Sequence, residues 1–485
     1  NPATADLKAK SQLNLLVAGT EDAIVMVEAS AHEVTEDVLA GALVEGHNVI
    51  KQIVAMQRDL RARVGGAALC IALLLAVAPR PPYWSAAKDL ALFTQPTGDA
   101  ATYLALAETI QRDGPLAPDG APYTQGPLYP WYLWIVNLLG MGVTGARAVQ
   151  FALGVAGVWL LWILGRRLAG TTGAIVAAAG GALYGPFVFF EGELLSISLA
   201  VFLLELTLVL WGRGRAALAA GLCLGLAALA HPSLLLAGGL AGLAALFSPG
   251  RWGWPDRRAA LLLLAGLALP PLATGARNLV VSGEPVLISA NGGVNFFIGN
   301  NPAADGTFHL PEDSGLLNRP EGLFTSAREI AETAEGRSLT LAAADRHWLL
   351  RGVDFWIGEP DRALALVARK ALLAVNDYEI PNHYDYETFR AESLTLRLLP
   401  TMGWLLPLGG VGLALAWARG RRIWGGFFLA LLLSVVLFFV TARYRLPLAV
   451  VLWPACGLAV DRLLAWRRRP ARLAVLLGAA ALYAA

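Results

Sequence analysis

The chain reads as a polytopic α-helical membrane protein with a small α/β fragment at its N-terminus. Three observations predict this. Of 485 residues, 56% are hydrophobic and only 15% charged, against about 25% charged in a soluble domain. Apolar runs that span or nearly span a bilayer recur from residue 64 onward. Before that point the pattern is two short β-rich runs followed by a helix.

The fragment comes first. The runs 13–18 and 23–28 are separated by Gly19-Thr20-Glu21-Asp22, a hairpin-like spacing. Thr35 then caps a helix whose first turn holds Glu36 and Asp37, with Val38, Leu39, Leu43 and Val49 on its apolar side. Composition changes abruptly near Arg63. The expected organisation is therefore 1–63 as the α/β fragment, 64–274 as membrane helices with a first outer loop at 78–146, 275–397 as an outer region, and 398–485 as the last membrane helices.

The expected spans are 64–77, 147–164, 172–190, 194–211, 216–230, 233–247, 259–273, 398–417, 424–440, 446–464 and 473–485, about 11–12 hydrophobic helices in all. Several are short, so adjacent runs are candidates for one broken helix. Arginines set the orientation. Arg58, Arg61 and Arg63 precede the first span. Following the alternation, Arg166/Arg167, Arg213/Arg215, Arg251/Arg257/Arg258, Arg419/Arg421/Arg422 and Arg467/Arg468/Arg469 fall on the same, cytoplasmic side. That holds only if 127–140, which opens with Pro127 and Pro130, does not cross; it is expected to lie as a juxtamembrane or re-entrant helix at the outer face.

The outer elements carry the candidate chemistry. Asp99 opens the helical run 100–111 in the first outer loop, where it is either an N-cap or a general base for an acceptor hydroxyl. Glu191 and Glu193 flank Gly192 at a turn. They serve the dipole of the following helix, or they orient an acceptor or bind a divalent cation, the one candidate cofactor. Glu205 sits mid-span, where a charge is costly, and is assigned no function. Arg443 and Arg445 are outer-side exceptions to the arginine pattern: snorkelling side chains, or cationic forks for a lipid-linked phosphate, with Arg277 a weaker candidate of the same kind. His231-Pro232 reads as a structural histidine at another outer turn. The stretch from Asn291 to Gly306 suits a tight outer loop without a Walker pattern.

Cys70, Cys223 and Cys456 lie far apart inside apolar runs and imply neither a disulfide framework nor a zinc site. The formal net charge of +2 argues against nucleic-acid binding by the membrane part.

Two resemblances follow from the text itself. Leu15-Leu16-Val17-Ala18-Gly19-Thr20, Met26-Val27-Glu28-Ala29, Thr35-Glu36-Asp37-Val38 and Gly46-His47 resemble part of the first RNase PH domain of bacterial polynucleotide phosphorylase. That family's phosphorolytic residues belong to the second such domain, which has no counterpart here, and a strand–strand–helix piece lacks a core of its own. The chain begins at Asn1, and Met56 stands directly before the first span. A chimeric or mis-joined reading frame is therefore expected, with a genuine fusion as the alternative; peptide mapping of the native N-terminus separates them.

From about residue 56 to the end, the chain resembles the polytopic GT-C glycosyltransferases, in particular the family 39 group related to protein O-mannosyltransferases and aminoarabinose transferases. The resemblance is carried by Gly98-Asp99-Ala100-Ala101-Thr102-Tyr103, Gly126-Pro127-Leu128-Tyr129-Pro130, Gly192-Glu193-Leu194-Leu195, Gly299-Asn300-Asn301-Pro302 with Asp305-Gly306, the stretch from Asn376 to Asn382, and Arg443-Tyr444-Arg445-Leu446-Pro447. It implies transfer of a sugar from a polyprenyl-phosphate donor to a glycan, lipid or protein acceptor on the extracytoplasmic face of the inner membrane, usually with inversion. It also implies Asp99 and Glu193 as catalytic acids. Tyr103, Gln125, Tyr129, Glu191, Arg443 and Arg445 become substrate-binding candidates. Related transferases often carry a basic residue where this chain has Gln125-Gly126-Pro127, which shifts the phosphate contact toward Arg443 and Arg445. A transporter or flippase without chemistry is the competing reading, and RNA phosphorolysis a weaker one.

Overall fold

The computed structural model describes residues 12–466, except 115, 117–119, 212, 213, 252, 318, 319 and 383. The expected span 473–485 and the basic residues Arg213 and Arg467–Arg469 lie outside the described residues. The chain divides into two compact units between Ile71 and Ala72.

In the first unit, Leu13–Gly19 and Ile24–Ala31 form an antiparallel hairpin with Val17 opposite Val27 and a register shift at Ala18/Gly19. Alternation places Leu13, Leu15 and Val17 on one half-buried face. The helix Glu36–Val77 packs there, close enough that a Cβ on Gly46 would touch Val17. Among the described residues nothing buries the other face: Leu16 and Met26, which point to it, are exposed, and no residue from 12 to 59 is fully buried. Among the described residues these two strands and one helix enclose no core.

The second unit is a multi-pass helical membrane protein. Over the whole chain five described helical stretches are long and apolar enough to cross a bilayer: Gly65–Ala87, which begins before the division at Ile71/Ala72, and Gly142–Leu183, Arg257–Ser282, Leu394–Ala418 and Ala442–Ala465. Four shorter apolar helices, Ile197–Leu210, Ala217–Ala230, Ser233–Phe247 and Arg422–Val436, pack among them. The boundaries differ from the expected spans in instructive ways. Run 147–164 and most of run 172–190 appear as one 42-residue stretch, Gly142–Leu183, with residues from 185 on in a separate short helix, but Ala169 and Gly170 leave helical geometry and Gly170 takes φ 64°, which favours glycine. The chain folds back there. Gly165 and Gly173 face each other so closely that a Cβ on either would strike the other's carbonyl oxygen. The first run does not start afresh at residue 64 either; it continues the helix begun at Glu36, and the short helix Arg80–Ala87 extends it.

The segment after Pro127 forms the helix Leu128–Leu138, 11 residues long. Its rise of about 16 Å is roughly half a hydrocarbon core, so it does not cross by length. The 275–397 region folds into the helices Gly292–Gly299, Pro320–Glu335, Leu341–Gly358 and Pro360–Ala374 around a small core containing Phe297, Trp348 and Phe439.

Several membrane helices have a basic end and a cavity end. Arg421, before Arg422–Val436, donates to the carbonyl of Leu168 at 2.6 Å, joining it to the Arg166/Arg167 hairpin turn. At the far end of that helix, Leu437 and Phe438 line a large cavity. Ile197–Leu210 runs the same course in reverse, from Ser196 at the cavity to Trp211 against Trp254 and Phe427.

Candidate active site

The cavity measures about 950 Å³. Its walls come from the first loop (Asp99, Tyr103, Gln125), the start of Ile197–Leu210, the helix Ser233–Phe247, the 275–397 region, the end of Arg422–Val436 with the segment after it, and the start of Ala442–Trp466. Several helices present their N-termini to it, including those beginning at Asp99, Ile197, Ser233, Gly292 and Ala442. Helix N-termini carry partial positive charge and unpaired N–H groups.

At its polar centre Arg443 Nη1 donates to Asp99 Oδ2 at 2.5 Å, and Gln125 Nε2 donates to Oδ1 at 3.2 Å. Both members of the ion pair are 13% exposed. Asp99 is not the N-cap. Gly98, at φ 62°, holds that position, and Asp99 is the first helical residue. With its amide oriented to suit the network, Asn382 accepts from Arg443 Nη2 at 2.9 Å and Nε at 3.3 Å. Gly126 lets the loop bearing Gln125 lie directly on the backbone at Leu229, where a Cβ would strike the carbonyl oxygen.

Neutral groups surround this pair. Tyr103 packs edge-on to Tyr129, and its hydroxyl is 3.5 Å from Ser196 Oγ; burial, with Asp99 nearby, raises its pKa. His231 breaks the chain between Ala217–Ala230 and Ser233–Phe247, and its ring lies 4.8 Å from that of Tyr444. Its Nε2 has no hydrogen-bond partner, so it is not the satisfied structural histidine the sequence suggested. Burial, reinforced by Arg443, pushes its pKa down to about 3 and keeps the imidazole neutral. Among the described cavity-lining residues Arg443 is therefore the one cation.

Leu235, Leu236, Gly239, Leu240 and Leu243 extend the cavity as an apolar groove along one face of Ser233–Phe247. No Cβ neighbour exists within 4 Å of Gly239, so this glycine leaves the groove open.

The structure brings Asp99, Tyr103, Gln125 and Arg443 together and places the other candidates elsewhere. Glu191 forms a bidentate pair with Arg80, at 2.7 and 2.6 Å, away from the cavity; burial still raises its pKa to about 7 against the arginine's pull. Glu193 is also fully buried, and neither oxygen meets hydrogen-bond geometry. Its charged neighbour is Arg147, with the Tyr83 hydroxyl close by; burial outweighs both and lifts its pKa to about 8. Tyr129 donates to Gln150 at 2.5 Å, and Gln150 in turn holds the carbonyls of Glu191 and Glu193. Arg445 does not face the cavity. It pairs with Glu379 at 2.9 Å and donates to the carbonyls of Asn376 and Tyr378, anchoring the loop that carries Asn382. Arg277 is spent on Leu116 and Ala121 carbonyls.

Asn382, His231 and Ser196 were not singled out for the site. Asn382 closes the Asn376–Asn382 motif, so its signal was present but unassigned. The motif around Asn300 is architectural. Asn300 donates to the Leu437 carbonyl at 2.8 Å and accepts from Trp356 and the buried Lys370, whose pKa desolvation lowers to about 7.

No group of three or more metal-ligating side chains occurs among the described residues. Of the two carboxylates offered for a divalent cation, Glu191 is committed to Arg80 through both oxygens.

No protein-family model matches the chain. Residues of its N-terminal part are similar to the polyribonucleotide nucleotidyltransferases of Anoxybacillus flavithermus (49% identical) and Bacillus subtilis (51% identical), each over 65 residues, or 13% of this chain and 9% of the relative. The chain thus spans under a tenth of the length of these curated relatives. Among solved structures, it is similar to the Archaeoglobus fulgidus oligosaccharyltransferase in its apo form, with a TM-score of 0.42 and 15% identity over 86% of this chain and 54% of that one. It is also similar to ArnT from Cupriavidus metallidurans bound to undecaprenyl phosphate, with a TM-score of 0.35 and 16% identity over 82% and 78%.

Proposed function

We propose that this chain is a membrane glycosyltransferase that moves a sugar from a polyprenyl-phosphate donor to an acceptor hydroxyl. The observation that carries this reading is the form of the cavity: a partly buried acid–arginine pair opening onto an apolar groove. A polyprenyl-phosphate sugar needs both parts, cationic donors for its phosphate and apolar surface for its isoprenoid chain. Arg443, held by Asn382, supplies the first; the Leu236–Leu243 stripe supplies the second.

In the transfer, the acceptor oxygen attacks the anomeric carbon while the bond from that carbon to the phosphate oxygen breaks. The bonding electrons leave with the phosphate, whose growing charge Arg443 and the converging helix N-termini offset. The acceptor proton passes to Asp99. A single displacement of this kind inverts the anomeric centre. Arg443 pairs with Asp99, so the phosphate must draw the guanidinium aside before the carboxylate can act as a base. Glu193 acts, in this reading, as a positioning group behind the wall rather than at the reacting atoms.

The site is assigned to the extracytoplasmic face. The gathering of Arg166/Arg167 with Arg421 at the helix ends away from the cavity supports this through the positive-inside rule.

Filling the groove tests the reading. Gly239→Trp is expected to block binding of labelled polyprenyl phosphate to the full chain in nanodiscs while leaving its thermal melt unchanged. Undiminished binding would remove the groove, and with it the lipid donor, from the account.

A further inference from the structure

The 275–397 region contributes to the cavity wall without contributing any charge: every residue it places there is an amide, a glycine, a leucine or a phenylalanine. Two of the amides, Asn291 and Asn295, stand one helical turn apart at the start of Gly292–Gly299 and so share a face. Asn295 Nδ2 is used by the Asn291 carbonyl at 2.9 Å, and Asn291 Oδ1 accepts from Ser289 at 2.9 Å. Asn291 Nδ2 and Asn295 Oδ1 have no partner among the described residues. One donor and one acceptor therefore remain available beside the cavity. Phe296, Phe308 and Phe324 are the region's aromatic contribution to the cavity lining.

From this we infer that the wall formed by Asn291, Asn295 and the three phenylalanines is a binding subsite for an uncharged carbohydrate, so that the acceptor is a neutral glycan. The inference rests on the proposed function for the word acceptor, but the subsite stands on its own chemistry. Amide groups offer a paired donor and acceptor suited to adjacent hydroxyls. The faces of aromatic rings, negative in their quadrupole, suit the C–H faces of a sugar ring. Few but well-placed polar groups on an apolar lining are the usual composition of a small-molecule site. A charged acceptor finds no counter-charge on this wall. An extended peptide would ask for a row of unpaired backbone groups, and the wall is helical at Gly292–Gly299 and Pro320–Glu335.

The test exposes the full chain in nanodiscs to an array of uncharged oligosaccharides, acidic oligosaccharides and uncharged peptides. Retention of polyprenyl phosphate is measured on the same preparation. Neutral glycans are expected to bind. Asn295→Leu, close to isosteric, is expected to weaken that binding at least tenfold while polyprenyl phosphate is retained. Asn291→Ala provides the second variant should Asn295→Leu fail to fold, with the same expected loss. Capture of peptides alone, capture of acidic glycans alone, no capture by protein that retains polyprenyl phosphate, or undiminished glycan binding in the folded variants would each overturn the subsite. Glycan binding by protein that retains no polyprenyl phosphate would leave the subsite standing and remove the proposed donor instead.

Discussion

Arg443 reaches Asp99 across 344 residues of chain and closes on it at 2.5 Å. The contact joins the first helix turn after the opening loop to the first turn of the last described helix. It therefore fastens the two ends of the membrane unit at the place where chemistry is proposed.

The base is the first expectation. Asp99→Asn keeps the shape and a hydrogen bond to Arg443 but removes the proton acceptor. Transfer should fall by about 10²–10⁴, with protein still folded in membranes by size exclusion and thermal melt. Normal activity in the variant would dismiss Asp99 as the base.

Two arginines, two residues apart, should behave differently. Arg443→Gln is expected to weaken polyprenyl-phosphate binding while the fold survives. Arg445→Gln strands the fully buried Glu379 and should cost about 3–5 kcal/mol of stability, typical of breaking a buried pair. Denaturation curves and lipid binding on both variants check this; equal stability losses would contradict the division of labour.

The covered base implies an order of binding. The donor phosphate must engage Arg443 before Asp99 is free, so the acceptor should bind productively only after the donor. Initial-rate kinetics with a dead-end donor analogue should show an ordered pattern with donor first. A random pattern would mean that the ion pair opens without the phosphate.

Glu193 predicts a pH dependence of stability with a definite sign. Its folded pKa of about 8 stands above the ordinary 4.5, so between those values the folded state holds more proton than the unfolded state. Stability from this group is thus present below pH 4.5 and lost as pH rises through 8, at up to about 1.4 kcal/mol per unit. Glu193→Gln should flatten that fall, which thermal melts at pH 5, 6.5 and 8 would reveal. Parallel slopes in the two proteins would contradict the assignment.

Much of this was legible in the residues. The hairpin 13–18 and 23–28, the helices expected at 216–230 and 233–247, and the short helix after Pro127 follow from local periodicity and proline placement. Asp99 and Arg443 were each visible as acids or bases at an interface. Their pairing was not, because it depends on a contact that no local pattern encodes. The two members of Arg443/Arg445 look alike in sequence, yet residues two apart on a helix point about 200° apart; one faces the cavity and the other the Glu379 loop. Glu191 and Glu193 look like a surface turn. Their burial depends on Arg80 and Gln150, which arrive from other helices. The hairpin at Ala169/Gly170 was expected as a gap between runs, and the structure adds the reason for its tightness in Gly165 and Gly173.

The most direct test of the central claim uses the purified full chain in nanodiscs with a radiolabelled sugar on polyprenyl phosphate. The measurement is release of free polyprenyl phosphate together with appearance of label on an acceptor hydroxyl. The account predicts both, in equal amounts, from the wild-type chain and neither from Asp99→Asn. Donor lipid that binds and crosses the membrane with its sugar–phosphate bond intact would contradict it and identify a carrier instead.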